Sequence, residues 1–194
     1  MTLLAEPTPK LMTIDEFMAL PDSVGYELVD GVLVERKPMR ALSDYVATQA
    51  ARHLGNFAAD RGLGHVFGAE TTYHCFRHEA TGRRADASFI ARGRLPGERI
   101  PEGTIDIPAD VAVEVISPND LATEVEEKVK LYLRHGFGEV WVVYPETRSM
   151  YVHRKGQPVL ALEADDTLTG RGPLEGFSCA VAQFFPPAPS PTPS

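Results

Sequence analysis

Long apolar runs are missing from this 194-residue chain: nowhere do the roughly 18 consecutive apolar residues of a membrane-crossing helix occur. Membrane insertion is therefore not expected. Cysteine is scarce too, with only Cys75 and Cys179, far apart, which excludes a disulfide framework and suits two small core residues. Positive charge is in deficit: 19 Lys and Arg against 27 Asp and Glu give a formal net charge of -8. Binding nucleic acid through a broadly cationic surface is excluded, so any such role must rest on a local basic patch or on metal ions. The opening "MTLLAEPTPK" lacks the basic start and long apolar stretch of a signal peptide, and a cytoplasmic location is expected.

What remains is ordinary for a soluble protein, with 43% hydrophobic and 24% charged residues. The length suits one globular domain, expected over residues 12–185, after a flexible start (1–11) and before a disordered Pro/Ser-rich tail (186–194). Thr13 and Glu16 can form a capping box for a short helix that Pro21 closes. In "YELVDGVLVER", Asp30-Gly31 supplies the positive φ angles of a tight hairpin turn. Leu42, Val46, Ala50, Leu54 and Phe57 repeat with helical spacing between Ala41 and Arg61, where Gly62 stops the pattern.

Two β-type segments follow, "HVFGAETTYHCF" and "RRADASFIAR", then a strand from Asp110 to Ile116. "LATEVEEKVKLYLRHG" reads as a second long helix, with Thr123 and Glu126 placed for a capping box and Gly136 as its stop. "EVWVVYP" is again nearly all apolar, "RSMYVHR" and "PVLALEA" extend the strands, and "GFSCAVAQFF" closes the domain by packing Phe177, Val181 and Phe184. This order predicts an α/β (α+β) fold, a mixed sheet flanked by helices.

Within "DVAVEVISPND" stands an anomaly: Glu114, in a run that otherwise suits the centre of a sheet. Strand alternation puts Glu114 on the face of Ala112 and Ile116, and Asp86 on the face of Ser88 and Ile90. Burying either carboxylate alone costs several kcal/mol, which a divalent cation bound between them would offset; a strand-end acid in water is the plain alternative. On the second helix the apolar face is Leu121, Val125, Val129, Tyr132 and Leu133. Lys128 lies on its flank and Lys130 points away. Lys128 can thus reach the sheet, or pair with Glu124 one turn earlier as an ordinary surface contact.

Taken in order, "YELVDGVLVE", "RRADASFI", "VAVEVISPND", "EEKVKLYLRHGFGEVWVVYP" and "GFSCAVAQFF" resemble the Uma-type putative restriction endonuclease family, within the PD-(D/E)xK nuclease superfamily. The resemblance runs from about Met12 to Phe185. It implies a restriction-endonuclease-like sheet with an N-terminal hairpin and extra C-terminal strands. It also implies that Asp86 and Glu114 are acidic ligands of Mg²⁺ or Mn²⁺. The superfamily lysine, two residues after the glutamate, is here Ile116, and the Uma-type pattern selects Lys128 on the following helix instead. A proline usually precedes the aspartate, where this chain has Ala85. Glu27 and Tyr132 match two further positions of the family's site. The implied activity is metal-dependent phosphodiester hydrolysis, on DNA rather than RNA.

Rival readings are thinner. "HCFRHE" gathers His74, Cys75, His78 and Glu79, but a structural zinc site needs a second ligand pair, and none is present. No G-x-S-x-G elbow occurs, and Ser117 suits a turn into the second helix better than nucleophilic attack. The basic groups Arg36, Lys37 and Arg40, then Arg83 and Arg84, then Arg92, Arg94 and Arg99 read singly as solvated loop charges. A non-catalytic binding or structural protein on the nuclease scaffold is the alternative function. A homodimer is expected on symmetry grounds, since each chain carries one site and a duplex has two strands.

Overall fold

The structure is a computed structural model that describes residues 11–76 and 80–187. The expected flexible start up to residue 10, His78 and Glu79 of the candidate zinc cluster, and residues 188–194 of the expected tail lie outside the described residues. Helix α1 (Ile14–Met18) begins on the predicted capping box, with Thr13 Oγ1 accepting from the Glu16 N–H and Glu16 Oε2 from the Thr13 N–H. Strands β1 (Tyr26–Val29) and β2 (Val32–Glu35) form the expected hairpin, its turn made by Asp30 and Gly31 at φ 49 and 79. Helix α2 (Ala41–Arg61) ends on Gly62 in the left-handed conformation.

The two β-type segments that follow are each broken. The first is β3 (Gly64–Gly68) and β4 (Thr72–Tyr73), with a turn at residues 69–71; the second is β5 (Arg83–Arg84) and β6 (Ala87–Ala91), interrupted at Ala85 and Asp86. Next come β7 (Val111–Val115), α3 (Ala122–Arg134), β8 (Glu139–Tyr144) and β9 (Ser149–Arg154). Strands β10 (Leu160–Leu162), β11 (Thr167–Thr169) and β12 (Ser178–Ala180) complete the chain.

The central sheet has six strands in the order β10-β9-β8-β7-β6-β3. Only β7 and β8 run parallel, joined by the α3 crossover, so the sheet is mixed as predicted. Its two faces have separate cores. Val111, Val113 and Val115 of β7 face α2, meeting Val46, Ala50 and Leu54. Ala112 faces α3, meeting Val129 and Tyr132. Period-2 alternation therefore turns Glu114 toward α3. Each buried valine contributes roughly 1.5–3 kcal/mol, so the strand as a whole can carry one costly carboxylate.

The closing segment packs as expected, with Phe177, Val181 and Phe184 in the α2-side core. Cys75 and Cys179 are buried free thiols. The predicted capping box of α3 does not form: Leu121 is the N-cap, without a side-chain cap bond, and Glu126 pairs with Lys130 one turn on. Leu121, expected on the apolar face, is 58% exposed because it precedes the first turn. Among the described residues, no helix is long and apolar enough to cross a membrane.

Candidate active site

Asp86 and Glu114 are brought together where β6 begins beside β7. Ala87 pairs with Val113 as the last step of the antiparallel ladder, and Asp86, in the bend just before it, lies near enough for its charge to act on Glu114. The Asp86 N–H donates to Val113 O at 2.9 Å, and its Oδ2 accepts from the Val115 N–H at 2.6 Å. Both bonds fix the aspartate where the β5–β6 chain breaks. Burial raises the Asp86 pKa, against the pull of Lys128 and the Val115 N–H.

Glu114 is 7% exposed. Its Oε2 accepts from Lys128 Nζ at 2.8 Å, while Oε1 is buried with no hydrogen-bond partner. Burial raises its pKa to about 7; Lys128 opposes that rise and Asp86 adds to it. Lys128 also donates to Arg84 O at 2.8 Å and lies 3.4 Å from Glu27 Oε1. Desolvation alone would lower the lysine's pKa, but Glu114, Glu27 and Asp86 together outweigh it and hold the ammonium charged.

The hairpin delivers Glu27. Leu28 exchanges backbone bonds with Gly82, which docks β1 beside β5 and turns the Glu27 side chain inward. Glu27 Oε2 accepts from Arg83 Nη1 at 2.9 Å and Oε1 from the Arg84 N–H at 2.7 Å. Burial alone would raise its pKa, yet Lys128, Arg83 and the Arg84 N–H hold it at about 2. Glu27 is thus a permanent anion whose oxygens are committed to protein donors. Tyr132 lies behind the site, fully buried; its hydroxyl meets no acceptor in good hydrogen-bond geometry but lies close enough to Glu114 for the carboxylate to act on it. Burial and then the Glu114 charge push its phenol well above the ordinary value.

All five residues expected from the sequence therefore gather at one place. Glu27, Asp86, Glu114 and Lys128 line a cleft of about 740 Å³, and Tyr132 packs beneath it. The surface pairing open to Lys128 does not occur, because Glu124 bonds Lys37 instead. Among the basic groups, Lys37, Arg40, Arg92 and Arg99 are exposed loop charges as expected, whereas Arg83, Arg84 and Arg94 are drawn into ion pairs and hydrogen bonds. Arg84 is 3% exposed and donates to Thr72 Oγ1 and to the carbonyls of Ser23, Val24 and Tyr26. Arg83 clamps Glu27, and Arg94 pairs with Asp110.

Arg83 and Arg84 are the site residues that sequence reasoning missed as such; their adjacency to Asp86 in "RRADAS" was the available signal. Ser117 behaves as expected: its N–H donates to Asp120 Oδ2 at 2.7 Å in the turn before α3. In the candidate zinc cluster, His74 Nδ1 bonds Thr81 O and Cys75 is buried.

Among the described residues, no three His, Cys, Asp or Glu side chains are placed to hold a metal by themselves. Asp86 and Glu114 form an all-oxygen pair. The partnerless Glu114 Oε1 is an orphan acceptor of the kind a cation would satisfy. Two carboxylates fit Mg²⁺ or Mn²⁺, which fill their remaining positions with water and substrate phosphate, better than Zn²⁺, which wants nitrogen or sulfur.

A mixed sheet flanked by helices, with two carboxylates and a helix-borne lysine lining one cleft, is a nuclease-like fold. The chain belongs to the Uma2 family, described as putative restriction endonuclease, which it matches over residues 14–182. Among solved structures it is similar to a putative nuclease belonging to DUF820 from Anabaena variabilis, with a TM-score of 0.76 and 19% identity. That likeness covers 90% of this chain and 97% of the other, and it shows the fold. No curated protein matches the sequence.

Proposed function

We propose that this protein is a metal-dependent endonuclease that hydrolyses phosphodiester bonds, with DNA as its substrate. The observation that carries the reading is the buried Glu114 with one oxygen on Lys128 and the other unpartnered, in the cleft that Asp86 also lines. Asp86 and Glu114 would hold Mg²⁺ or Mn²⁺. When bound, such an ion supplies a more acidic water and stabilises charge on the phosphate.

The chain's own groups divide the remaining work. Lys128 stays protonated, orients the attacking water and neutralises charge that develops on the phosphate oxygens. Glu27, itself clamped by Arg83 and the Arg84 N–H, keeps that ammonium in place without competing for the water. Tyr132 closes the floor of the site and excludes bulk water from beneath Glu114. Water adds at phosphorus, one P–O ester bond breaks, and the departing oxygen leaves as a hydroxyl. Cutting both strands of a duplex with one site per chain calls for two chains, so the working unit we propose is a homodimer.

Cleavage of supercoiled plasmid by the purified protein in Mg²⁺ or Mn²⁺, beside Asp86→Ala and Glu114→Ala, tests the reading. Nicking or linearisation by the wild type and by neither variant is the expected result. A wild type that neither cuts nor binds either ion in a titration that depends on these two acids would leave a binding protein on a nuclease scaffold.

A further inference from the structure

The cations around the cleft are not equivalent. Arg84 and Arg83 are spent on Glu27, Thr72 and backbone carbonyls, and Lys128 belongs to the carboxylate cluster. Arg36, its side chain 20% exposed, bridges Val24 O, Ala69 O and Glu70. Lys37 differs. Its side chain is 49% exposed, and every group it touches belongs to the segment that leads into α3, whose Asp120 and Glu124 line the same cleft. Nζ donates to Asn119 O at 2.9 Å and to Glu124 Oε2 at 3.2 Å, and it lies 3.5 Å from Asp120 Oδ1.

These contacts tie the segment that leaves β2 to the loop and first turn that begin α3. Lys37, Asp120 and Glu124 line the cleft that holds Asp86 and Glu114. Exposed ion pairs of this kind contribute only about 0–1 kcal/mol, so a denser anion can displace them. A phosphodiester backbone is such an anion, and a flexible lysine on a four-carbon stem can follow it.

We propose that Lys37 is a positioning residue for the substrate's phosphate backbone, held at the lining of the cleft by Glu124 and Asp120 until the substrate takes their place. The assignment rests on the nuclease reading above and adds to it the residue that first engages the strand. Glu124 is then an acidic competitor: it lowers affinity for a polyanion by occupying Lys37 and by repelling phosphate. The nucleic acid is met here through charge, since the aromatic side chains that stack single-stranded bases are absent from the residues lining the cleft.

The test is equilibrium binding of a short fluorescein-labelled DNA duplex across a salt series, with Ca²⁺ replacing Mg²⁺ so that chemistry does not intervene. Lys37→Ala should weaken binding roughly five- to tenfold and reduce the slope of log affinity against log salt by about 1. Lys37→Arg should restore both. Glu124→Gln, which removes a surface carboxylate without disturbing a buried group, should tighten binding roughly two- to fivefold.

A purely structural latch would leave the salt slope unchanged in Lys37→Ala and would weaken or not alter binding in Glu124→Gln; either result overturns the assignment. So does a wild type that binds no duplex. The nuclease reading is judged separately, by plasmid cleavage: a protein that cuts while Lys37→Ala binds like wild type loses this inference and keeps that function.

Discussion

Lys128 Nζ sits 2.8 Å from Glu114 Oε2, and both groups are withdrawn from solvent. Removing one partner of such a pair strands the other, at a cost of about 3–5 kcal/mol. Lys128→Met should therefore destabilise the protein by that order at pH 8, whereas Lys128→Met with Glu114→Gln should recover most of the loss. The penalty should shrink on acidification. The Glu114 pKa is already raised from 4.5 to about 7, so its charge costs stability as pH rises through that window and costs nothing below it. Urea unfolding of the four members of the cycle at pH 5 and pH 8 measures both effects.

Glu27 runs the opposite way. Its pKa falls from 4.5 to about 2, which corresponds to roughly 3 kcal/mol of native-state stabilisation at neutral pH. A depressed carboxylate contributes fully above its unfolded value and loses that contribution as pH falls through the folded one. Glu27→Gln should thus cost about 3 kcal/mol at pH 7, and the gap from wild type should close between pH 4.5 and pH 2. Denaturant midpoints measured across that range provide the comparison.

Asp86→Asn separates ligand chemistry from architecture. An asparagine carbonyl can still accept the Val115 N–H now bonded at 2.6 Å, so stability should change by less than about 1 kcal/mol. The negative charge is lost, and with it half of the oxygen-anion pair that suits a hard cation. Calorimetric titration with Mn²⁺ should show binding to wild type and none to the variant at the same concentrations. Plasmid cleavage should fall with it, by roughly a hundredfold or more.

Much of this site was legible because short-range periodicity determines it. Period-2 alternation turns Glu114 toward α3, and a 100° helical step sets Lys128 on the flank of the α3 apolar stripe while Lys130 points to solvent. The Asp30-Gly31 turn and the 41–61 helix were equally local, and both are found where the sequence puts them. What stayed hidden depends on contacts distant in the chain.

Glu27 meets Arg83 across 56 residues, and the Arg84 guanidinium finds three carbonyls about 60 residues back. No window of sequence holds both partners, so these arginines read as loop charges. The capping box at Thr123 and Glu126 was misread for a related reason: Glu126 has a competing partner at i+4, and the chain enters α3 from Leu121 instead. The same distance rule decides the fate of Glu124, which answers to Lys37 across 87 residues and not to Lys128 one turn away.

Tyr132 poses the last question, because its hydroxyl is buried against Glu114 without a well-formed hydrogen bond. A hydroxyl buried in poor geometry has given up its hydration for little return, at a cost of about 1–3 kcal/mol. The ring itself is well used, packing 4.4 Å from Phe137 between centroids and lying under the Lys128 ammonium at 5.9 Å. Tyr132→Phe keeps both contacts and removes only the stranded oxygen, so its melting temperature should equal or exceed that of wild type. Tyr132→Ala should instead cost about 3–5 kcal/mol by opening a cavity under the site. Cleavage by Tyr132→Phe then isolates the hydroxyl. Activity within a few-fold of wild type marks Tyr132 as the floor of the site, the expected result. A loss near that of Asp86→Asn, in a protein at least as stable as wild type, would place the phenol among the reacting groups.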